Sequence, residues 1–247
     1  MNWLEGKVIE NRRWSETLFS LRVEAPRLEF EAGQFVRIAL DAREGDPGSR
    51  VARPFSFVNP PQDPVLEFYG VVVPEGPLSP LLARLGAGDR LFIASNPAGF
   101  LVLSELQEAE TLWLLSTGTG IAPFLSILRT DAPWKRYRKV VLVHAVRFAR
   151  ELVYQEIISS LKARDAFTYV PFVSRESQSG SLAGRIPAAI ADGRLEQAAG
   201  APLAARSQVM LCGNPAMLKD GQAALLARGL KKHRRRSPGQ ITVESFW

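Results

Sequence analysis

Arg53-Pro54-Phe55-Ser56-Phe57-Val58-Asn59 gathers a guanidinium, a flat ring and a hydroxyl into four residues ahead of an apolar run. The planar fork of Arg53 suits a pair of phosphate oxygens, the Phe55 ring can lie against a flat heterocycle, and the Ser56 hydroxyl can bond to that heterocycle's edge. A flavin needs those three groups together. The other reading of the same residues is a strand that begins with one exposed arginine, and the choice between them rests on what surrounds the stretch.

Up to about residue 103 the surroundings are short strands, at 7–13, 17–23, 34–40, 54–59, 66–73 and 90–95. They are rich in Val, Ile and Phe and bounded by Gly, Pro and Asp, with one short helix near 79–85. Six such strands imply a small antiparallel β-barrel. From about residue 104 the rhythm changes. Strands at 112–116, 139–144, 167–173, 208–212 and 240–246 alternate with helices at 122–129, 151–163, 186–191 and 216–230. That alternation implies a doubly wound, five-stranded parallel sheet. The expected organisation is therefore a barrel domain over 1–103 and an α/β domain over 104–247.

Composition narrows the chemistry. At 247 residues and 46% apolar content the chain can fill two cores. Its longest aliphatic runs fall far short of the roughly 20 residues that span a bilayer. Its first residues carry Glu5 where a signal peptide would need an apolar core, so a cytoplasmic protein without membrane contact is expected. Cys212 is the only cysteine, which excludes an internal disulfide, a cysteine-ligated iron–sulfur cluster and a multi-thiolate zinc site. His144 and His233 stand apart from other ligand types, so no metal site is readable and redox work would need an organic cofactor. Residues 1–103 hold 11 Lys/Arg against 13 Asp/Glu, and residues 104–247 hold 20 against 12. No nucleic-acid motif accompanies the basic half; an acidic protein or a phosphate-rich cofactor is the partner it suits.

Thr117-Gly118-Thr119-Gly120-Ile121-Ala122-Pro123 sits between a strand and a helix, where backbone N–H groups and the positive helix end can meet a pyrophosphate. Pro123 replaces the third glycine of the usual fingerprint and, in the first helical turn, loses no hydrogen bond. A tight strand-to-helix turn with no ligand reads the same way. After the second strand, where an acid would serve NAD, the sequence is Val146-Arg147-Phe148-Ala149-Arg150; cations there favour a 2′-phosphate and NADP(H). Arg175 and Arg185 can complete such a pocket. Cys212 closes the fourth strand beside the expected switch point, either as a small buried hydrophobe or as a site residue.

Together these residues resemble the ferredoxin–NADP⁺ reductase family, in particular its bacterial ferredoxin/flavodoxin branch. The motifs are Arg53-Pro54-Phe55-Ser56, Leu66-Glu67-Phe68-Tyr69, Gly76-Pro77-Leu78-Ser79-Pro80, residues 117–123, Leu211-Cys212-Gly213-Asn214-Pro215 and Val243-Glu244-Ser245-Phe246-Trp247. The resemblance implies that Arg53, Pro54, Phe55, Ser56, Tyr69, Pro77, Leu78, Ser79 and Thr119 hold FAD. It implies that Val146, Arg147, Ser174, Arg175 and Arg185 hold the adenosine phosphate of NADP(H), with Cys212, Gly213 and Asn214 near the nicotinamide. Ser56, Cys212 and Glu244 take the family's catalytic places, Phe246 covers the flavin and Trp247 packs on the FAD adenine. It further implies hydride exchange between NADPH and FAD and single-electron exchange with ferredoxin or flavodoxin. A monomer is expected, although no residue pattern in the sequence reads out the oligomeric state.

Two positions depart from the family pattern. Phe55 and Phe246 stand where tyrosine is common, which keeps the ring and removes a hydrogen bond worth about 0.5–1.5 kcal/mol. Two other functions compete. The reductase component of an oxygenase would need an iron–sulfur centre that one cysteine cannot hold. A non-enzymatic flavin- or NADP-binding subunit or sensor would have no use for Ser56, Cys212 and Glu244 together.

Overall fold

The computed structural model describes residues 2–43 and 45–245. Within them, β1 (Trp3–Arg13), β2 (Leu18–Glu24), β3 (Phe35–Asp41), β4 (Arg50–Ser56), β5 (Val65–Val71) and β6 (Arg90–Ala94) form an antiparallel sheet of order β4-β3-β6-β1-β2-β5. The two edges meet just beyond β4, through a single Phe57–Phe68 bridge and a 2.8 Å hydrogen bond from Val58 N–H to Glu67 O. That seam closes the barrel.

Strand parity decides what each residue faces, because successive side chains point to opposite sides. Phe19, Leu21 and Val23 of β2, with Leu66 and Phe68 of β5, fill the barrel together with Ile38, Leu91 and Ile93. The intervening Leu18 and Tyr69 turn outward and pack on the core of the second sheet. The outer face of β2 and β5 is thus buried around Leu18, Ser20 and Tyr69, and the barrel is fixed against its neighbour there. Helix α1 (Ser79–Leu82) presses Leu82 into the barrel core.

In the second sheet β7 (Thr111–Thr117), β8 (Lys139–Val146), β9 (Phe167–Val173), β10 (Leu182–Ala183), β11 (Ser207–Gly213) and β12 (Ile241–Ser245) run parallel in the order β10-β9-β8-β7-β11-β12. Both faces are covered, so the strands read as unbroken apolar runs. Leu112 and Leu114 of β7 meet α2 (Ala122–Leu128) and α4 (Gln155–Leu161), while Trp113 and Leu115 meet α5 (Ile186–Ala191) and α7 (Pro215–Ala227). Short helices α3 (Ala132–Arg136) and α6 (Arg194–Ala199) complete the layers. Strand order reverses between β7 and β11, which makes the carboxyl ends of those two strands the switch point where such folds bind ligands.

The barrel and the doubly wound sheet agree with the sequence reading. The sheet has a sixth strand, β10, whose two residues are too few to show a period. The helix expected at 151–163 begins only at Gln155, because Tyr154 adopts a left-handed backbone (φ 58°) after a 3-10 turn at Ala149–Glu151. The helix expected to reach residue 230 stops at Ala227, two residues before Gly229 turns left-handed (φ 84°). No helix among the described residues is long and apolar enough to cross a membrane.

Candidate active site

A cleft of about 300 Å³ lies where the barrel meets the switch point, walled by Arg53, Pro54, Phe55 and Ser56 from β4, Tyr69 from β5, and Thr119 from the turn after β7. Pro54 is tolerated because β4 is the first strand of the sheet, where a missing donor breaks little of the ladder. Gly70 clears room for the half-buried Phe55: a Cβ there would lie 2.7 Å from Phe19 and 3.0 Å from the Phe55 ring. Leu78 is buried in the barrel core at the cleft's edge, and the Ser79 hydroxyl accepts the Val73 N–H at 2.9 Å, so Ser79 shapes the loop that carries Pro77.

Two atoms of this cleft decide what it can hold. Ser56 is 3% exposed and Tyr69 4%, and neither hydroxyl has a hydrogen-bond partner. A buried hydroxyl left unpaired costs about 1–3 kcal/mol, a debt that an occupant bonding to both would remove. Burial, with a smaller contribution from the Glu151 charge, pushes the Tyr69 phenol well above its ordinary value, so it stays a neutral donor. Apolar walls with two unpartnered hydroxyls among their residues, and an exposed guanidinium, fit a flat polar-edged ring carrying phosphates. The residues present fit a flavin nucleotide.

Residues 117–120 and 212–214 interlock at the switch point. The Asn214 N–H donates to Thr117 Oγ1 at 2.8 Å. A Cβ on Gly120 would lie 2.5 Å from the Cys212 carbonyl oxygen, and one on Gly213 (φ 129°) would lie 2.2 Å from Thr117 Oγ1. Only glycine fits either place. The Asn214 side chain accepts from Ala216 N–H and Met217 N–H at 2.9 and 3.3 Å and so caps α7, with Pro215 in the first turn.

Cys212 is paired in register with Ser116 on one side and Glu244 on the other. It is fully buried, and burial together with the Glu244 charge holds it as a neutral thiol. Glu244 lies against the 99–100 loop, close enough that a Cβ on Gly99 would come within 2.8 Å of its Oε2. Burial raises its carboxyl to about 7, against an opposing hydrogen bond from the Phe100 backbone, and its Oε1 is unpartnered. At neutral pH this group can either hold or release a proton.

The three arginines come together at the carboxyl ends of neighbouring strands. Arg175 N–H donates to Arg147 O at 2.9 Å, and both the Ser174 N–H and its hydroxyl donate to Val146 O at 3.1 Å. Arg185 follows β10, which pairs with the end of β9. All three guanidiniums are exposed. Glu151 turns its carboxylate back onto the Arg147 and Phe148 N–H groups, at 2.9 and 3.2 Å. Phe246 and Trp247 lie outside the described residues. Among those described, no group of three His, Cys, Asp or Glu side chains could hold a metal ion.

Behind Tyr69 is a polar network that the sequence reading missed. Trp14 Nε1–H donates to Ser20 Oγ at 2.6 Å, and Ser20 Oγ is 2.6 Å from the Tyr154 hydroxyl. The Tyr154 ring meets Tyr69 edge-on at 5.4 Å. Glu67, raised by burial and bonded to Tyr154, lies 3.7 Å from Arg129. The one signal available was Glu67 itself, an acid that shares the outward face of β5 with Tyr69.

A barrel and a doubly wound sheet that share one cleft at the switch point define a nucleotide-dependent oxidoreductase of two sheets. In agreement, the family described as Oxidoreductase NAD-binding domain matches residues 114–223. The flavodoxin/ferredoxin–NADP reductase of Escherichia coli (strain K12) is 47% identical over 250 residues, covering 100% of this chain and 99% of the relative. The ferredoxin–NADP reductase of Pseudomonas aeruginosa is 36% identical, covering 98% and 97%. A crystal structure of a ferredoxin NADP⁺ reductase from Neisseria gonorrhoeae with bound FAD and NADP superposes with a TM-score of 0.94 at 32% identity, covering 100% of both chains. The chain belongs to the flavodoxin/ferredoxin–NADP reductase family and is an oxidoreductase.

Proposed function

We propose that this protein exchanges a hydride between NADP(H) and a bound FAD and passes single electrons between FAD and ferredoxin or flavodoxin. The observation that carries the reading is the pair of unpartnered buried hydroxyls, Ser56 and Tyr69, in an apolar cleft at the switch point of a nucleotide-type sheet. When bound, FAD supplies two-electron exchange with a nicotinamide and one-electron exchange with a protein carrier.

The chain's own residues divide the remaining work. Arg53 offers its fork to the FAD phosphates, Phe55 and Tyr69 flank the ring, and the Ser56 and Tyr69 hydroxyls bond to its polar edge. Pro77, Leu78, Ser79 and Thr119 shape the rest of the cleft. Arg147, Arg175 and Arg185, with Val146 and Ser174, take the 2′-phosphate of NADP(H). Gly213 lets Thr117 pack against the 212–214 segment that receives the nicotinamide, Cys212 stays an uncharged thiol beside it, and Glu244 holds a proton next to Cys212. The Ser56 and Tyr69 hydroxyls are buried, which strengthens the polar contacts they make.

The domain division is placed near residue 103, with FAD on 1–103 and NADP(H) on 104–247. The carrier is an acidic protein, for which the excess of 20 Lys/Arg over 12 Asp/Glu after residue 103 supplies the field. The exposed segment at 231–236, whose Arg235 lies 4.3 Å over the Phe100 ring, concentrates that charge. The protein acts as a cytoplasmic monomer, without nucleic acid or membrane.

The test is titration of the purified protein with FAD, followed by anaerobic mixing with NADPH and then with a reduced-state-sensitive carrier. FAD should bind at one per chain, bleach with NADPH faster than with NADH, and recover colour when oxidised flavodoxin or ferredoxin is added. A protein that takes up no FAD overturns the proposal.

A further inference from the structure

Among the described residues, His144 is the one fully buried titratable side chain of the second sheet for which the proposed chemistry has no use. It belongs to β8, and strand parity puts it on the face of Val140 and Leu142, which is also the face of Met210 and Cys212. Its Nε2 lies 3.0 Å from the carbonyl oxygen of Gly118. A carbonyl oxygen only accepts, so Nε2 carries the proton and Nδ1, which has no partner, is left with its lone pair. Burial lowers the imidazole to about 4, and it donates as a neutral ring throughout the physiological range.

The carbonyl it holds belongs to an unusual residue. Gly118 has φ 52°, in the left-handed region, at the start of the 3-10 turn Gly118–Ile121. One residue earlier, Thr117 Oγ1 accepts the Asn214 N–H; two residues later, Gly120 packs flat on the Cys212 carbonyl. The turn is therefore gripped from β8 and in turn grips the segment 212–214.

We infer that His144 is a positioning residue: its imidazole locks the turn at 117–120, and through that turn it fixes the 212–214 segment against which the nicotinamide binds. This deepens the proposed function and rests on it for the identity of the ligand. The lock itself concerns only this chain, so it can be read without any ligand. A histidine that merely filled the core would affect stability; a histidine that positions the turn affects Asn214, across a strand boundary, and NADP⁺ binding with it.

The experiment compares FAD-loaded wild type, His144→Gln and His144→Leu. Two quantities are measured: hydrogen exchange of the amides at 118–120 and at Asn214 without nucleotide, and the NADP⁺ dissociation constant from the change in flavin absorbance. His144→Leu should speed exchange at Asn214 and weaken NADP⁺ about tenfold, equivalent to roughly 1.4 kcal/mol. His144→Gln, whose amide N–H can replace Nε2–H, should restore most of both. A leucine variant with wild-type exchange and wild-type NADP⁺ affinity overturns the inference, as does one that loses only thermal stability. If the leucine variant does not fold, Thr117→Val, which removes the acceptor for Asn214 without touching the core, must show the same two changes, and its failure to do so also overturns the inference. Wild type that binds no NADP⁺ overturns the proposed function instead, while exchange at Asn214 in the variants still decides whether His144 holds the turn.

Discussion

The cleft wall built by β4 and β5 and the rim built by the ends of β8, β9 and β10 belong to one proposed site and share almost no physics. On the wall, Ser56 and Tyr69 are neutral, buried and unpartnered, so each bond they make is directional and sheltered from solvent. On the rim, Arg147, Arg175 and Arg185 are charged and exposed, held together only by the backbone pairing of neighbouring strands. Wall bonds depend on position within a fraction of an ångström; rim bonds depend on charge and weaken with salt. The wall is suited to placing a reactive ring and the rim to choosing between two cofactors that differ by one phosphate.

That contrast can be broken most sharply at Gly213, the tightest point of the interlock between residues 117–120 and 212–214. Gly213→Ala would drive a Cβ to 2.2 Å from Thr117 Oγ1 on a backbone of φ 129°, and the resulting shift should lower kcat/KM for NADPH by about 100-fold or more. A loss below tenfold would mean that the interlock is softer than its distances suggest. On the rim, Arg147→Ala should cut the preference for NADPH over NADH by about 10- to 150-fold, the worth of one charge-assisted bond of roughly 1.5–3 kcal/mol. The same variant should leave FAD affinity unchanged, and the wild-type preference should shrink as salt is raised. An unchanged NADPH/NADH ratio would remove Arg147 from the phosphate site.

A smaller effect tests the wall's orphaned hydroxyls. Tyr69→Phe should weaken FAD about 2- to 10-fold while the FAD-free protein gains stability, because the variant loses a bond to the ligand and also a buried group with no partner. Equal signs for the two changes would show that the hydroxyl is satisfied in the free protein. The smallest effect is a slope with pH. Glu244, raised to about 7 by burial, binds a proton in the folded chain at pH values where the unfolded chain, near 4.5, does not. Its contribution to stability is therefore full below about 4.5 and is lost as pH rises through about 7. Glu244→Gln should flatten that part of the denaturation profile between pH 5 and 8; an unaltered slope would place the titration elsewhere.

The residues of the wall and of the interlock were legible in the sequence because they sit in short contiguous motifs, 53–56, 66–69, 117–123 and 211–215, whose types carry their own chemistry; that 117–120 grips 212–214 came only with the structure. The rim was legible as three arginines able to share one pocket at the carboxyl edge of a sheet; the strand order β10-β9-β8, which local pattern does not give, puts them at the ends of neighbouring strands. Other roles could not be read at all. Tyr154 meets Ser20 across 134 positions and His144 meets Gly118 across 26, and a lone aromatic or histidine in an apolar stretch looks like core until its partner is in place. Asn214 and Ser79 are a different case. Expected to touch cofactor, each also spends its side chain on the backbone beside it, the first capping a helix and the second bracing a loop.

The seam of the barrel has its own consequence. Five of the six junctions between staves are laddered along strands, whereas the sixth is fastened by little more than the Phe57–Phe68 bridge and the Val58–Glu67 hydrogen bond. Ser56 and Tyr69 flank that fastening, one on each stave. A molecule seated between them is a rivet as well as a reagent. It joins the two halves of the weakest joint, and by mass action its binding free energy becomes barrel stability. Loss of the rivet should be felt first as fraying at 56–58 and 67–69, so that breakdown of the emptied protein starts where its chemistry was done.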